Sequence, residues 1–150
     1  MAISELAANA THRDDAVRVV SLRIPARPEF VSLCRLALTG LGRVHAIGDD
    51  DLADLKLALT EAVSNSVRHA YPGHGGGHVD VMIELRADRI VIEVADDGNG
   101  FDPHEVPVFD GAELSEGGLG LAIIETITDE LEIRSTPGRR GSRLRFAKSL

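Results

Sequence analysis

The sequence has few of the features that mark oxidised, membrane-bound or nucleic-acid-binding proteins. Its 150 residues include one cysteine, Cys34, so no disulfide can form within the chain. No apolar run is long enough to span a bilayer and no signal segment opens the chain, so we expect a cytoplasmic protein without membrane contact. The formal charge is −8. With no basic surplus to replace counterions, we expect no direct nucleic-acid binding.

Aromatic residues are also scarce, at 3% of the chain with no tryptophan. Hydrophobic residues still make up 43%, which excludes a disordered chain and predicts a core of Val, Leu, Ile and Ala. The length suits one domain that can bury a core without staples. Residues 1–14 show no clear period and are interpreted as a loose N-terminus, and 15–150 as the folded domain.

Periodicity predicts five strands and three helices. Alternating apolar residues predict strands at 16–24, 78–85, 90–95, 131–135 and 142–148. Helical spacing predicts helices at 28–39, 50–70 and 119–128, the first closed by Gly40 and Gly42 and the second capped by residues 49–51. Residues 101–116 have no period and are expected to form a long mobile loop. Consecutive strands paired as hairpins favour an α+β fold, a two-layer sandwich whose mixed, mainly antiparallel sheet carries helices on one face.

Polar residues lie along one line of the second helix. Glu61 and Asn65 are one turn apart, and Arg68 and His69 lie a further turn on. A solvated polar face is the simple interpretation. Against it, asparagine is a poor residue for a helix interior, because its amide competes for backbone groups. A carboxylate and an amide oxygen one turn apart are suitable ligands for a hard cation such as Mg²⁺.

A second motif, D-D-G-N-G, follows the strand at 90–95. Ile90, Ile92 and Val94 share a face, and alternation places Asp96 on that same apolar face. A tight turn in which Asp and Asn tolerate the backbone geometry would explain the motif alone. A carboxylate on the apolar side needs a donor, however, and the amine of a ligand would serve.

The third motif is a glycine-rich helix start, Gly117, Gly118, Leu119 and Gly120. Glycines there let backbone N–H groups approach an anion, and the helix dipole favours negative charge. No Gly-Lys-Ser/Thr follows, so it is not a Walker A loop, and a long loop precedes it, unlike a dinucleotide fingerprint.

The order and spacing of the three motifs resemble the ATPase and kinase superfamily of Hsp90, gyrase B, MutL and the histidine kinases. The resemblance covers residues 52–146, with an N box on the helix, a G1 box at D-x-G-x-G and a G2 box at the glycine-rich helix start. Within the superfamily the chain looks most like the anti-sigma-factor serine-protein kinases, through E-A-V-S-N at 61–65, H-A-Y at 69–71 and the direct passage from G-G-L-G to a C-terminal hairpin.

The resemblance implies ATP and Mg²⁺ as cofactors and a role for each motif residue. Glu61 would activate the hydroxyl of a partner protein, Asn65 would ligate Mg²⁺, and Asp96 would accept a hydrogen bond from the adenine amino group. Ser142 matches a residue that supports Asp96. The remaining site residues would approach the nucleotide, its phosphates or the partner: Gly98, Gly100, Gly117, Gly118, Leu119, Gly120, Arg68 and His69.

The implied function is an ATP-binding anti-sigma factor with serine/threonine kinase activity. It would phosphorylate an anti-sigma-factor antagonist, sequester a sigma factor and form a homodimer through its first strand and helix. Two alternatives stay open. An ATP-binding interaction module without phosphotransfer is motivated by the acidic stretch 101–116, which has no Lys or Arg. A detached histidine-kinase catalytic domain ranks lower, because no phosphoacceptor helix is present.

Overall fold

A computed structural model describes residues 17–70, 76–101 and 116–150, with the side chains of the last range described from residue 119 onward. The predicted loose terminus at 1–14 and most of the predicted loop at 101–116 lie outside the described residues. The described part contains a 3₁₀ turn at Pro28–Phe30, three helices and five strands. Their bounds are β1 Arg18–Pro25, α1 Val31–Val44, α2 Asp49–His69, β2 His78–Leu85, β3 Arg89–Asp96, α3 Glu116–Ile127, β4 Glu130–Arg134 and β5 Ser142–Ser149.

The strands form a single five-stranded sheet in the order β1-β2-β3-β5-β4. Every pairing between described strands is antiparallel, so the predicted α+β sheet is confirmed, while its parallel component is absent from the described part. The last hairpin inserts β5 beside β3, which leaves β4 at one edge and β1 at the other. The C-terminal end of β3 therefore lies beside the N-terminal end of β5, and these two strand ends contribute one half of the site.

The helices cover one face of the sheet, as predicted. Helix α2 packs on β2, β3 and β5, and α1 and α3 both pack against α2. Its predicted apolar stripe is confirmed, since Leu55, Leu59 and Val63 are fully buried. Burying a leucine or valine side chain stabilises the fold by roughly 1.5–3 kcal/mol, so this stripe anchors the helix that carries the polar motif.

The prediction that Gly40 and Gly42 end the first helix is wrong. Helix α1 continues through both residues to Val44. A Cβ at Gly42 would lie 2.8 Å from the side-chain methyls of Leu52, so glycine at this position lets α1 pack closely against the start of α2. A glycine inside a helix costs about 1 kcal/mol relative to alanine, and here tertiary packing overrides that preference.

The prediction of an aspartate N-cap for α2 is also wrong. Gly48 is the N-cap, in extended conformation and without a side-chain cap, and the three aspartates at 49–51 occupy the first turn. Their carboxylates still lie at the positive end of the helix dipole, so the electrostatic part of the interpretation holds. Among the described residues, no helix combines the length and hydropathy that a membrane span needs.

Candidate functional site

Asp96 ends β3 on the face that the helices cover. It is buried, with 7% of its surface exposed, as strand alternation predicts. The sheet register places Ser142 of β5 directly opposite. The Ser142 hydroxyl donates to Oδ2 of Asp96 at 2.6 Å, and the backbone N–H of Gly98 donates to Oδ1 at 3.0 Å. A carboxylate accepts about four hydrogen bonds, so Asp96 is fixed in place and can still accept from a ligand.

The turn after Asp96 packs against the end of α2. A Cβ at Gly98 would collide with the backbone oxygen and Cα of Ala70, so the two segments touch through a position that only glycine can fill. The backbone N–H of Asn99 also donates to the oxygen of Ala70 at 3.2 Å. The resemblance implies that Gly98 approaches the nucleotide, and the structure shows that it also lets the G1 turn approach α2.

Gly100, like Gly98, allows a close contact within the protein itself. Its φ is +73°, in the left-handed region that glycine adopts without strain. A Cβ there would meet the carbonyl oxygen of Thr136 and lie 2.8 Å from that of Arg139. The G1 turn is therefore held between α2 and the β4–β5 turn.

Backbone hydrogen bonds tie the G1 turn to the β4–β5 turn. Gly141 N–H donates to the oxygen of Gly98 at 2.7 Å, and Gly138 N–H donates to that of Asn99 at 3.1 Å. Just beyond, Phe101 N–H donates to Oγ of Ser135 at 2.8 Å. From the sequence alone, the β4–β5 turn would be interpreted only as a connection between two strands. Its glycine content is the one sequence feature that indicates a close contact there.

Asn65 and its neighbour Ser66 lie on the inner side of α2. Both are buried, with 8% and 6% of their surface exposed, so the interpretation of a solvated polar face fails at these positions. The Asn65 amide makes no hydrogen bond to the described residues, and none of their side-chain N or O atoms is both fully buried and without a partner, so the tip of the amide keeps some solvent contact. Its oxygen is therefore available to a ligand.

Glu61 is half-buried one turn earlier on α2 and meets the first turns of α3. A Cβ at Gly120 would lie 2.7 Å from Oε2 of Glu61. The absence of a side chain at Gly120 therefore lets α3 pack against this carboxylate. In this way the structure joins the polar line of α2 to the glycine-rich helix start, through two residues that are 59 positions apart in sequence.

Arg68 and His69 lie in the last turn of α2 and are both exposed. Partial burial of the ring lowers the pKa of His69 below its usual 6.5, and the neighbouring Arg68 charge lowers it further. His69 is therefore neutral at pH 7, and Arg68 carries the positive charge at this end of the helix.

The predicted residues thus fall into two groups joined by α2. One contains Asp96, Ser142, Gly98 and Gly100, and the other contains Glu61 and Gly120, with Asn65 between them on the helix. The other glycine-rich residues lie inside α3, which begins earlier than predicted, at Glu116: Gly117, Gly118 and Leu119, the last 45% exposed. No three His, Cys, Asp or Glu side chains of the described ranges converge as a metal site, so a cation here would depend on phosphate oxygens as well.

Sequence comparison identifies proteins that are similar to this chain. Residues 24–148 match the family described as the histidine kinase-like ATPase domain. A serine-protein kinase RsbW of Bacillus licheniformis is 37% identical, with 87% of each chain covered. A serine-protein kinase RsbW of Bacillus subtilis (strain 168) is 35% identical, with 79% of each chain covered.

Two solved structures share the fold. The RsbU and RsbW domains of Rv1364c from Mycobacterium tuberculosis match with a TM-score of 0.65 at 20% identity, over 87% of this chain and 31% of that one. The SiaB–SiaC complex from Pseudomonas aeruginosa matches with a TM-score of 0.63 at 17% identity, over 95% of this chain and 96% of that one.

Proposed function

This chain belongs to the histidine kinase-like ATPase family and, within it, to the RsbW serine-protein kinases, and from that premise we propose that it transfers phosphate from ATP to a serine or threonine of an anti-sigma-factor antagonist. The observation that carries the proposal is the meeting of Glu61 with the glycine-rich start of α3. That contact brings a carboxylate against the glycine-rich turn of α3, and Asn65 lies one turn further along α2.

In this proposal Asp96 recognises the adenine ring of ATP. Its two oxygens are already oriented by Ser142 and Gly98, so a further hydrogen bond from the adenine amino group needs no rearrangement of the carboxylate. Preorganised acceptors of this kind lower the entropic cost of binding. The same burial excludes water, which strengthens a hydrogen bond to a charged acceptor.

Asn65 fits a Mg²⁺ ion that is shared with the nucleotide. The Asn65 side chain has no hydrogen-bond partner among the described residues, and Mg²⁺ characteristically takes one or two protein oxygens together with phosphate oxygens. When bound, the ion supplies charge neutralisation for the transferred phosphate. The first turns of α3, with Gly117, Gly118 and Leu119, would direct N–H groups at the same phosphates.

Glu61 is proposed as the group that receives the proton of the partner's hydroxyl. Its position against Gly120 fixes the carboxylate beside the phosphate-binding helix start. Arg68 supplies the positive charge that phosphoryl transfer needs beyond the metal, since the lowered pKa keeps neighbouring His69 neutral. The relatives' names favour this kinase over an ATP-binding module without transfer.

We further propose that the protein sequesters a sigma factor as a homodimer in the cytoplasm. Helix α1 supports the dimer, because Leu33, Leu36 and Val44 lie at helical spacing and are 49%, 65% and 77% exposed. Exposed apolar stripes of this kind mark protein contacts. Sedimentation equilibrium tests the dimer, with Leu36→Glu expected to give a monomer.

The kinase is tested by incubating the protein with Mg·ATP and each antagonist protein encoded beside it. We expect phosphoserine or phosphothreonine on one antagonist, detected by mass spectrometry, and none when Mg²⁺ is chelated. An absence of phosphoprotein with every antagonist, while ATP still binds, would contradict phosphotransfer and favour the binding module.

A further inference from the structure

The basic residues of this acidic chain are unevenly distributed. The segment 134–145 contains five arginines and no acidic residue, although the whole chain has only 16 lysines and arginines and a formal charge of −8. The segment comprises the end of β4, the β4–β5 turn and the first half of β5. The nucleotide site uses Ser142 from it and none of the arginines.

The fold places like charges directly opposite each other in this segment. Arg134 of β4 is the register partner of Arg143 of β5, and both point to the sheet face that the helices do not cover. Like charges directly opposite in an antiparallel pair are destabilising. The arrangement therefore favours a partner that brings negative charge to this face.

The carboxylates of the chain compensate these arginines only in part. Glu132 contacts Arg134 at 2.8 Å, and Glu93 lies 3.5 Å from Arg143 and 3.6 Å from Arg145. The remaining two arginines of the segment are exposed in the β4–β5 turn and make no ion pair with the residues that the structure describes: Arg139 and Arg140.

Two shallow cavities of the open face meet at this like-charged pair. One has a volume of about 260 Å³ and is lined by Glu93, Glu132, Arg134, Arg143 and Arg145. The other, of about 340 Å³, shares Arg134 and Arg143 and extends to Gly141 and Ser142, with Asp80, Ala95, Asp96 and Asp97 completing its lining. Three guanidinium groups, those of Arg134, Arg143 and Arg145, thus line these two cavities together with carboxylates, on a face without helices.

We propose that the arginine surface, Arg134, Arg139, Arg140, Arg143 and Arg145, docks an acidic segment of a partner protein. Guanidinium groups can bind carboxylates in a bidentate manner, and Arg134 already contacts a carboxylate of the chain, with Nε and Nη2 each 2.8 Å from Oε1 of Glu132. A nucleic acid is the poorer occupant, because the net charge of −8 repels a long polyanion, whereas a short peptide meets only the local field.

The experiment measures fluorescence anisotropy of a short labelled polyglutamate peptide titrated with the full chain at low salt. The double variant Arg139→Gln/Arg140→Gln is expected to bind about fivefold more weakly, because each exposed ion pair contributes little. The matched control Arg35→Gln/Arg43→Gln removes the same charge from exposed positions of α1 and is expected to change affinity less than about twofold.

Equal losses in the two double variants would overturn the proposal, because the peptide would then sense net charge alone. An oligothymidylate of the same length is tested as well. If it bound more tightly than the peptide, and if that binding depended on Arg139 and Arg140, the surface would be assigned to nucleic acid instead. A wild-type protein that does not bind the peptide would also overturn it. ATP affinity is measured in parallel and is expected to stay unchanged in both variants, so a failure here is distinguishable from a failure of the kinase proposal.

Discussion

The two acidic residues of the site, Asp96 and Glu61, are held in different ways. Asp96 is buried, and both its oxygens accept hydrogen bonds from Gly98 and Ser142. Glu61 is half-buried and accepts no hydrogen bond from the described residues, and its place is set by packing against Gly120. The proposed adenine end is therefore built by a hydrogen-bonded framework, and the proposed transfer end by a close approach of two helices.

This difference suggests a division of labour. A carboxylate with its donors already in place is suited to selecting a ligand, because it does not reorganise on binding. A carboxylate without fixed donors has oxygens that are open to the hydroxyl of a partner protein, as the proposed general base requires. We therefore expect substitutions at one end to change ATP affinity and substitutions at the other end to change the phosphotransfer rate.

The largest effect is expected for Glu61→Gln. Glutamine keeps the shape of the side chain against Gly120 but cannot accept a proton, so the phosphotransfer rate should fall by about a thousandfold. ATP affinity should change by less than about threefold, because the adenine end is untouched. Single-turnover kinetics with the antagonist and a nucleotide titration provide the two measurements.

A matched control for that variant is Glu125→Gln on the exposed side of α3, which removes the same charge away from the site. It should leave both quantities near the wild-type values. If Glu61→Gln phosphorylated at the wild-type rate, the two ends of the site would not differ as proposed.

Asp96→Asn is expected to have the next largest effect, on binding. The amide places a donor where Ser142 or the adenine amino group also donates, so ATP affinity should fall by about a hundredfold, which is about 2.7 kcal/mol and the value of one charge-assisted hydrogen bond. Isothermal titration with ATP measures it. Asp97→Asn, one residue on and 68% exposed at its side chain, is the matched control and should bind nearly normally.

Gly98→Ala tests whether the adenine end depends on backbone packing. The added methyl collides with Ala70, so we expect a loss of about 2 kcal/mol in unfolding free energy together with weaker ATP binding. Gly40→Ala in α1 is the opposite control, since a Cβ there meets no atom within 4 Å and should stabilise the helix by about 0.5–1 kcal/mol. Urea titrations would contradict the packing argument if both variants shifted stability in the same direction.

The parts of this site that could be predicted from sequence are those set by local periodicity. Strand alternation was enough to place Asp96 on the buried face, and helical spacing put Glu61 and Asn65 on one line. The contact of Ser142 with Asp96 came from family resemblance, because no pattern within β5 indicates that it inserts beside β3. The roles of these residues in binding and transfer stay predictions.

The parts that could not be predicted depend on contacts between distant segments. Gly42 looked like a helix end because its packing against Leu52 is invisible to propensity. The collision that makes Gly98 necessary involves Ala70, 28 residues earlier. Likewise, the pairing of Arg134 with Arg143 requires the register of β4 on β5. Each of these features follows from tertiary structure, and none has a local signature.

The smallest expected effect is a pH dependence at the shared helix. Because burial and the Arg68 charge lower the pKa of His69, the unfolded state binds the proton more readily, with a pKa near 6.5. The contribution of His69 to the free energy of unfolding is therefore fully present above pH 6.5. It is lost as the pH falls from that value towards the lower pKa of His69 in the folded state. The loss should be roughly a few tenths of a kcal/mol, since the exposed ring is screened by solvent.

Thermal unfolding between pH 7.5 and about pH 5 measures this contribution. His69→Gln should flatten the curve, and Arg68→Gln should flatten it only in part, because burial is the larger cause of the shift. An Arg68→Gln curve as flat as that of His69→Gln would instead make the charge of Arg68 dominant. In that case the pH dependence at the last turn of α2 would come from the neighbouring charge rather than from burial of the His69 ring.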